Sequence, residues 1–183
     1  MARLPYLDRA DLKPEHQDLL KRPINLFRAL AHSPDFAQGW SAVGAYIRRN
    51  SKLDPRLREL AILQVGYLER SPYEYSHHVK IGRDFGVSDD DIRAIVDETE
   101  DRPTRLDALS KAVLRAAREM TTDLAITDAT FAELRQSLDN ERLMDLILTI
   151  AFYNAVVRIL ATLKIDVEDD YLKYLDEFPL PKD

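Results

Sequence analysis

The chain of 183 residues contains no cysteine. That absence excludes disulfides, thiolate metal ligation and any reduction of peroxide by a thiolate nucleophile. Glycine is scarce as well: five residues, scattered, cannot build a Gly-rich phosphate loop. Cations are not clustered, and a net charge of −6 sets the chain against non-specific binding to nucleic acid or to an anionic membrane. The opening MARLPYLDRADLKPEH lacks the apolar run of a secretory signal, so the cytoplasm is the expected location. Residues 143–163 come nearest to a membrane span, but Asp145, Asn154 and Arg158 interrupt them, and each is costly in hydrocarbon. They are read as a buried helix.

What is present describes a globular helical protein. Hydrophobic residues make up 45% and charged residues 32%, an ordinary balance for a packed domain without long disorder. A chain of this size can bury roughly 70% of its unfolded surface in one domain, so residues 1–183 are read as a single unit with an amino-terminal helical extension over about 1–33. No strand-like alternation of useful length occurs. Helix starts recur instead, as Ser, Thr or Asp followed by the helix, often with proline at its first position. They place helices from Pro14 to about Leu20, Ile24 to Ala31, Pro34 to about Arg49, and from Pro55 up to a break at Ser71-Pro72. Further helices follow from Pro72 to a stop at Gly86, from Ser88 to about Glu98, Thr104 to about Met120, Thr127 to Ser137, and Asp139 to about Lys164. The acidic run Asp89-Asp90-Asp91 suits the first turn of a helix, and it lacks the alternating ligands of a calcium loop. The ending DEFPLPKD is polar and proline-broken, and is read as loosely packed or set against a neighbouring subunit.

The chemistry concentrates between Glu59 and His78, ELAILQVGYLERSPYEYSHH. After the break, Glu74, His77, His78 and Ile81 share one helix face. A carboxylate one turn from an imidazole orients the ring and favours its protonated form, giving a candidate proton-transfer pair. The plainer alternative is a solvated ion pair. Glu59 lies on a helix whose leucines imply burial, where its pKa rises unless it is paired. Arg56 and Arg58 are near enough to make a structural ion pair instead. His16 reads as exposed, and His32 as a helix-end residue.

Spacing adds a resemblance. Glu59, Ser71, Glu74 and His78 fall on a pattern similar to the E-x11-C-x2-C-x3-H of the carboxymuconolactone decarboxylase and alkylhydroperoxidase-like family, with both cysteines replaced. LDPRLRELAIL, HHVKIGRDFGVSDDDI and LTIAFYNAVVRIL also resemble that family, so the likeness covers roughly residues 30–165. It implies an all-α, alkylhydroperoxidase-like multi-helix bundle, assembled as a homo-oligomer, a trimer or hexamer. The long last helix, apolar nearly all round, agrees with an interface. An ideal helical hairpin leaves Glu59 and His78 out of register, so their proximity is implied by the resemblance alone.

With the cysteines gone, the resemblance implies the family's decarboxylase chemistry: proton transfer on a small carboxylated lactone or aromatic-breakdown product, with no cofactor and no metal. Glu59, Glu74 and His78 are the expected proton-transfer groups, with Tyr73 or His77 donating to a substrate oxygen. Arg83 or Arg158 is the expected partner of a substrate carboxylate, on chemical grounds only. Two other classes stay open: a metal site on Glu59, Glu74, His77 and His78, and a non-catalytic oligomeric ligand-binding protein.

Overall fold

The punctuation of the sequence becomes caps. In the computed structural model, which describes residues 1–181, two 3-10 turns, Arg9–Asp11 and Pro14–Leu20, lead into α1 (Asn25–Leu30) and α2 (Pro34–Arg49). There follow α3 (Pro55–Leu68), α4 (Pro72–Asp84), α5 (Asp89–Thr99), α6 (Ala108–Thr122), α7 (Asp128–Leu134), α8 (Asn140–Leu163) and α9 (Asp169–Glu177). No strand occurs among the described residues. Asp54, Ser88, Asp107, Thr127 and Asp139 each accept a backbone N–H from the first turn of their helix, and Ser88 with Asp91 closes a reciprocal capping box. The acidic run is therefore capping and dipole chemistry, and Asp91 is further engaged by Arg56 at 2.6 and 2.9 Å.

The centre of the bundle is α3. Every residue from Leu57 to Tyr67 is buried, because α4, α5, α6 and α8 surround it. One apolar core runs from Leu26 on α1 to Phe178 beyond α9. At about 25 cal/mol for each Å² of apolar surface removed from water, that continuous core is the main driving force for the fold. The amino-terminal segment belongs to it through Leu26, Ala29 and Leu30.

Two departures from the sequence reading have local causes. The sixth helix begins at Ala108 rather than Thr104, because the Asp107 carboxylate takes both the Ser110 N–H at 2.8 Å and its hydroxyl at 2.7 Å. The ninth helix was not expected at all. Its sequence DDYLKYLDE has little apolar surface, and tertiary packing on α4 holds it, with Tyr174 buried. The ending is also less loose than its composition implied. Phe178 is buried beneath Arg83 and Arg93, whose guanidinium carbons lie 5.4 and 5.6 Å from its ring centre. The last two residues of that ending lie outside the described residues.

Helix α8 is long and apolar enough to cross a membrane by length and composition. Here it packs on α3, α4 and α6, and its Asp145 works as a structural acceptor. Tyr46 Oη, Ser51 Oγ and the Lys52 N–H donate to that carboxylate at 2.8, 2.9 and 2.6 Å. The outer side of α8 stays exposed at Met144 and Leu148, as does that of α2 at Phe36, Val43 and Tyr46.

Candidate functional site

The turn between α3 and α4 sets the register that a simple hairpin lacks. The Ser71 N–H donates to Gly66 O at 2.9 Å and the Arg70 N–H to Tyr67 O at 3.1 Å, the paired bonds of a Schellman motif. Arg70 takes the left-handed conformation this requires, with φ of 46°. Gly66 then packs directly on the Tyr75 backbone; an added Cβ would stand 3.3 Å from Tyr75 N. Near backbone contact puts α4 within side-chain reach of the first turns of α3. Ser71, at a cysteine position of the pattern, is buried at the start of α4.

Across this contact three side chains meet. His78 Nδ1 lies 2.6 Å from Glu59 Oε2, and His78 Nε2 lies 2.9 Å from Glu74 Oε1. All three are at most 4% exposed. The Nε2 approach is close but off-line, so Glu74 Oε1 receives no well-directed hydrogen bond within the protein. Arg58 donates to the other Glu59 oxygen at 2.9 Å and stacks over Phe85 at 4.5 Å. The ion pair weighed in the sequence is thus present, and it supports the imidazole partner rather than replacing it.

Charge follows geometry. Burial works against a charged imidazole, but Glu74 and Glu59 outweigh it and raise the His78 pKa to about 9. Burial would push Glu59 up, yet His78 and Arg58 hold it below the ordinary carboxylate range. At neutral pH the arrangement is an imidazolium between two carboxylates.

The imidazole and Glu74 form part of the wall of a cavity of about 260 Å³. A dry cavity of about 150 Å³ accepts benzene, so this one has room for a substituted ring. Leu26 and Phe27 of α1, Trp40 and Arg48 of α2, and Phe152 and Tyr153 of α8 complete its surround. Tyr153 meets His78 edge-on, with ring centres 5.0 Å apart. Burial, then Glu74 and Glu59, push its phenol upward, so it remains a donor.

The other expected site residues are divided. Tyr73 and His77 line the cavity, but their polar ends are engaged. Tyr73 Oη donates to Glu168 at 3.1 Å and accepts the Leu26 N–H at 3.2 Å, while His77 Nε2 bonds Glu168 at 2.8 Å. Tyr171 covers the His77 ring at 3.6 Å and Tyr73 stacks below it at 4.3 Å. These two residues therefore clamp the carboxy-terminal segment. Arg83 and Arg158 are outside the cavity. Arg83 bonds Asp89 and Glu177 at 2.9 and 2.6 Å, tying α4 to α9, and Arg158 bonds Asn154 on its own helix at 2.7 Å. The arginines at the cavity are Arg22, Arg48 and Arg49. Arg48 and Arg49 occupy the last turn of α2, where cations are routine, so nothing in the sequence distinguished them.

Glu168 joins the site to the last helix. Burial opposes its charge, but the bonds from His77 and from the Asn25 N–H at 2.7 Å lower its pKa from 4.5 to about 2. A depressed carboxylate gives stability that is present above pH 4.5 and lost as pH falls toward 2. Glu168→Gln is expected to cost about 1–3 kcal/mol at neutral pH and to flatten the acid limb of stability, measured by urea unfolding between neutral and acid pH. An unchanged acid limb would contradict the clamp.

Among the described residues, no group of three or more His, Cys, Asp or Glu side chains is arranged to hold a metal ion. Both His78 nitrogens already face carboxylates at 2.6 and 2.9 Å, leaving that ring no free lone pair to offer.

Comparison with known proteins bears on the fold. The chain is similar in fold to an alkylhydroperoxidase AhpD core, an uncharacterized peroxidase-related protein from Ralstonia eutropha JMP134, with a TM-score of 0.81 at 19% identity over 99% of this chain and 98% of that one. A peroxidase-related protein from Silicibacter sp. TM1040 gives 0.76 at 19% identity, over 93% of each chain. The debrominase Bmp8, in a cysteine-to-alanine form bound to 2,3,4-tribromopyrrole, gives 0.79 at 18% identity, over 97% of this chain and 99% of that one. No curated protein matches the chain. Residues 34–120 match the Carboxymuconolactone decarboxylase family, the segment that carries Glu59, Glu74 and His78. Residues 34–120 thus carry the likeness to the carboxymuconolactone decarboxylase family, and the chain as a whole shares its helical fold with AhpD-like proteins.

Proposed function

We propose that the protein is a cofactor-independent acid–base enzyme of the decarboxylase or lyase type, acting on a small unsaturated acid or lactone, with no thiol peroxidase activity. The observation that carries this reading is His78, buried between Glu59 and Glu74 and facing a cavity with room for a ring. When a carboxylate leaves as CO2, the bonding electrons flow into a conjugated carbonyl, and the resulting dienolate must be protonated at carbon. The imidazolium supplies that proton, Glu59 holds the ring through Nδ1, and Glu74 stabilises the charge that reprotonation restores. A relative of this fold in complex with tribromopyrrole is a precedent for a small planar ring as ligand.

The test is a thermal-shift screen of small carboxylic acids and lactones, followed by mass spectrometry of the incubated hits. Loss of carbon dioxide from at least one hit, abolished in His78→Gln, is the expected result. Hits that bind and return unchanged would favour a ligand-binding protein instead. A homo-oligomer is proposed to cover Met144 and Leu148 on α8 and Phe36 and Val43 on α2, large apolar side chains that are exposed in the single chain. Sedimentation should show an assembly, and a monomer at micromolar concentration would contradict it.

A further inference from the structure

Charge around the cavity does not balance. Behind its wall, Arg58 with Glu59 and His78 with Glu74 cancel pairwise when the imidazole is protonated. Of the remaining charged lining residues, all are arginines: Arg22, Arg48 and Arg49. Neither Arg48 nor Arg49 has an ion-pair partner among the described residues, and Arg22 reaches only the Tyr171 hydroxyl, at 3.5 Å. Arg22 and Arg49 are exposed, where solvent satisfies them, whereas Arg48 is half-buried.

Arg48 is also held in place. Its carbonyl accepts from Arg58 Nη1 at 3.4 Å, which ties the end of α2 to the residue supporting Glu59. Its guanidinium approaches the Tyr153 hydroxyl, and the Tyr153 ring lies against His78. No acceptor among the described residues takes the Tyr153 hydroxyl proton. A partly desolvated guanidinium beside a free phenol donor, one tyrosine away from the imidazolium, has the donor set that a carboxylate accepts.

We infer that Arg48 and the Tyr153 hydroxyl form an anion subsite that selects substrates by a carboxylate surviving the reaction. The inference rests on the reading of the cavity as a substrate site, though not on the step His78 performs. A carboxylate gripped by a guanidinium is stabilised in the ground state, so it is not the one that departs as CO2. Arg48 therefore anchors the molecule equally before and during the chemistry, which makes it a specificity determinant read in binding.

The test compares phenylacetate with phenylacetamide, isosteres differing in charge, by titration calorimetry at neutral pH. The wild-type protein should bind the acid at least about tenfold more tightly than the amide. Arg48→Met should abolish that preference and leave amide binding unchanged. Arg48→Lys should keep part of it, Tyr153→Phe should weaken it less than Arg48→Met, and Arg83→Met, outside the cavity, should preserve it. Equal binding of acid and amide by the wild type, no binding of the acid up to about 10 mM, or a preference that persists in Arg48→Met would each overturn the subsite. Conversion by the wild type separates the two proposals: if its acid preference depends on Arg48 while no acid in the screen is converted, the subsite stands and the decarboxylase reading falls.

Discussion

His78→Gln is expected to lower turnover of a confirmed substrate by about 10²- to 10⁴-fold, the usual contribution of a positioned general acid. Glutamine can still donate toward Glu59 and Glu74 but has no proton to lose, so the variant should fold and bind with little change in KM. The product formed in D2O should carry deuterium at the carbon that lost CO2, since the proton exchanges with solvent through the imidazole. Activity should also fall as pH rises through about 9, where His78 loses its proton. A His78→Gln rate within a factor of about two of wild type would remove the imidazole from the chemistry.

The second large effect concerns stability. Glu59→Ala leaves Arg58 and His78 facing each other in the interior without the carboxylate that both contact, at 2.9 and 2.6 Å. Removing one member of a buried ionic set costs about 3–5 kcal/mol, because the remaining charges are not resolvated. Urea unfolding at neutral pH measures it, and a loss below about 1 kcal/mol would contradict a charged interior. The pH dependence has a definite sign. A histidine raised from 6.5 to about 9 contributes stability that is fully present below pH 6.5 and is lost as pH rises through 9. Glu59, depressed from 4.5, contributes stability present above pH 4.5 and lost as pH falls through its lowered value. The wild type should therefore lose stability on the alkaline side through about 9, and Glu59→Ala should show much less of that loss.

How far the sequence was readable depended on whether the signal was local. Caps such as Asp54-Pro55, Ser88 and Asp139 act within one turn, and the helices they start begin where expected. Helix α9 is held by packing rather than by its own composition, so no local signal announced it. The site divides in the same way. Glu74 and His78 share a helix face, and spacing alone places them together. Glu59 joins them only through the left-handed turn at Arg70 and the close approach at Gly66. Arg48 and Tyr153 come from helices distant in sequence, and an arginine in a last turn or a tyrosine in an apolar run is unremarkable until the helices meet. Arg83 and Arg158 had the right chemistry, yet they make structural bonds outside the cavity.

The most direct measurement is the protonation state of one ring. Nitrogen-15 NMR of imidazole-labelled protein, with His78→Gln used to assign the signal, reports both ring nitrogens across a pH titration. An imidazolium at neutral pH that titrates near 9 is expected, with Nδ1 hydrogen-bonded to Glu59 and Nε2 facing Glu74. A ring that is neutral at pH 7.5 and titrates at or below its ordinary 6.5 would mean that no buried acid stands ready in this cavity.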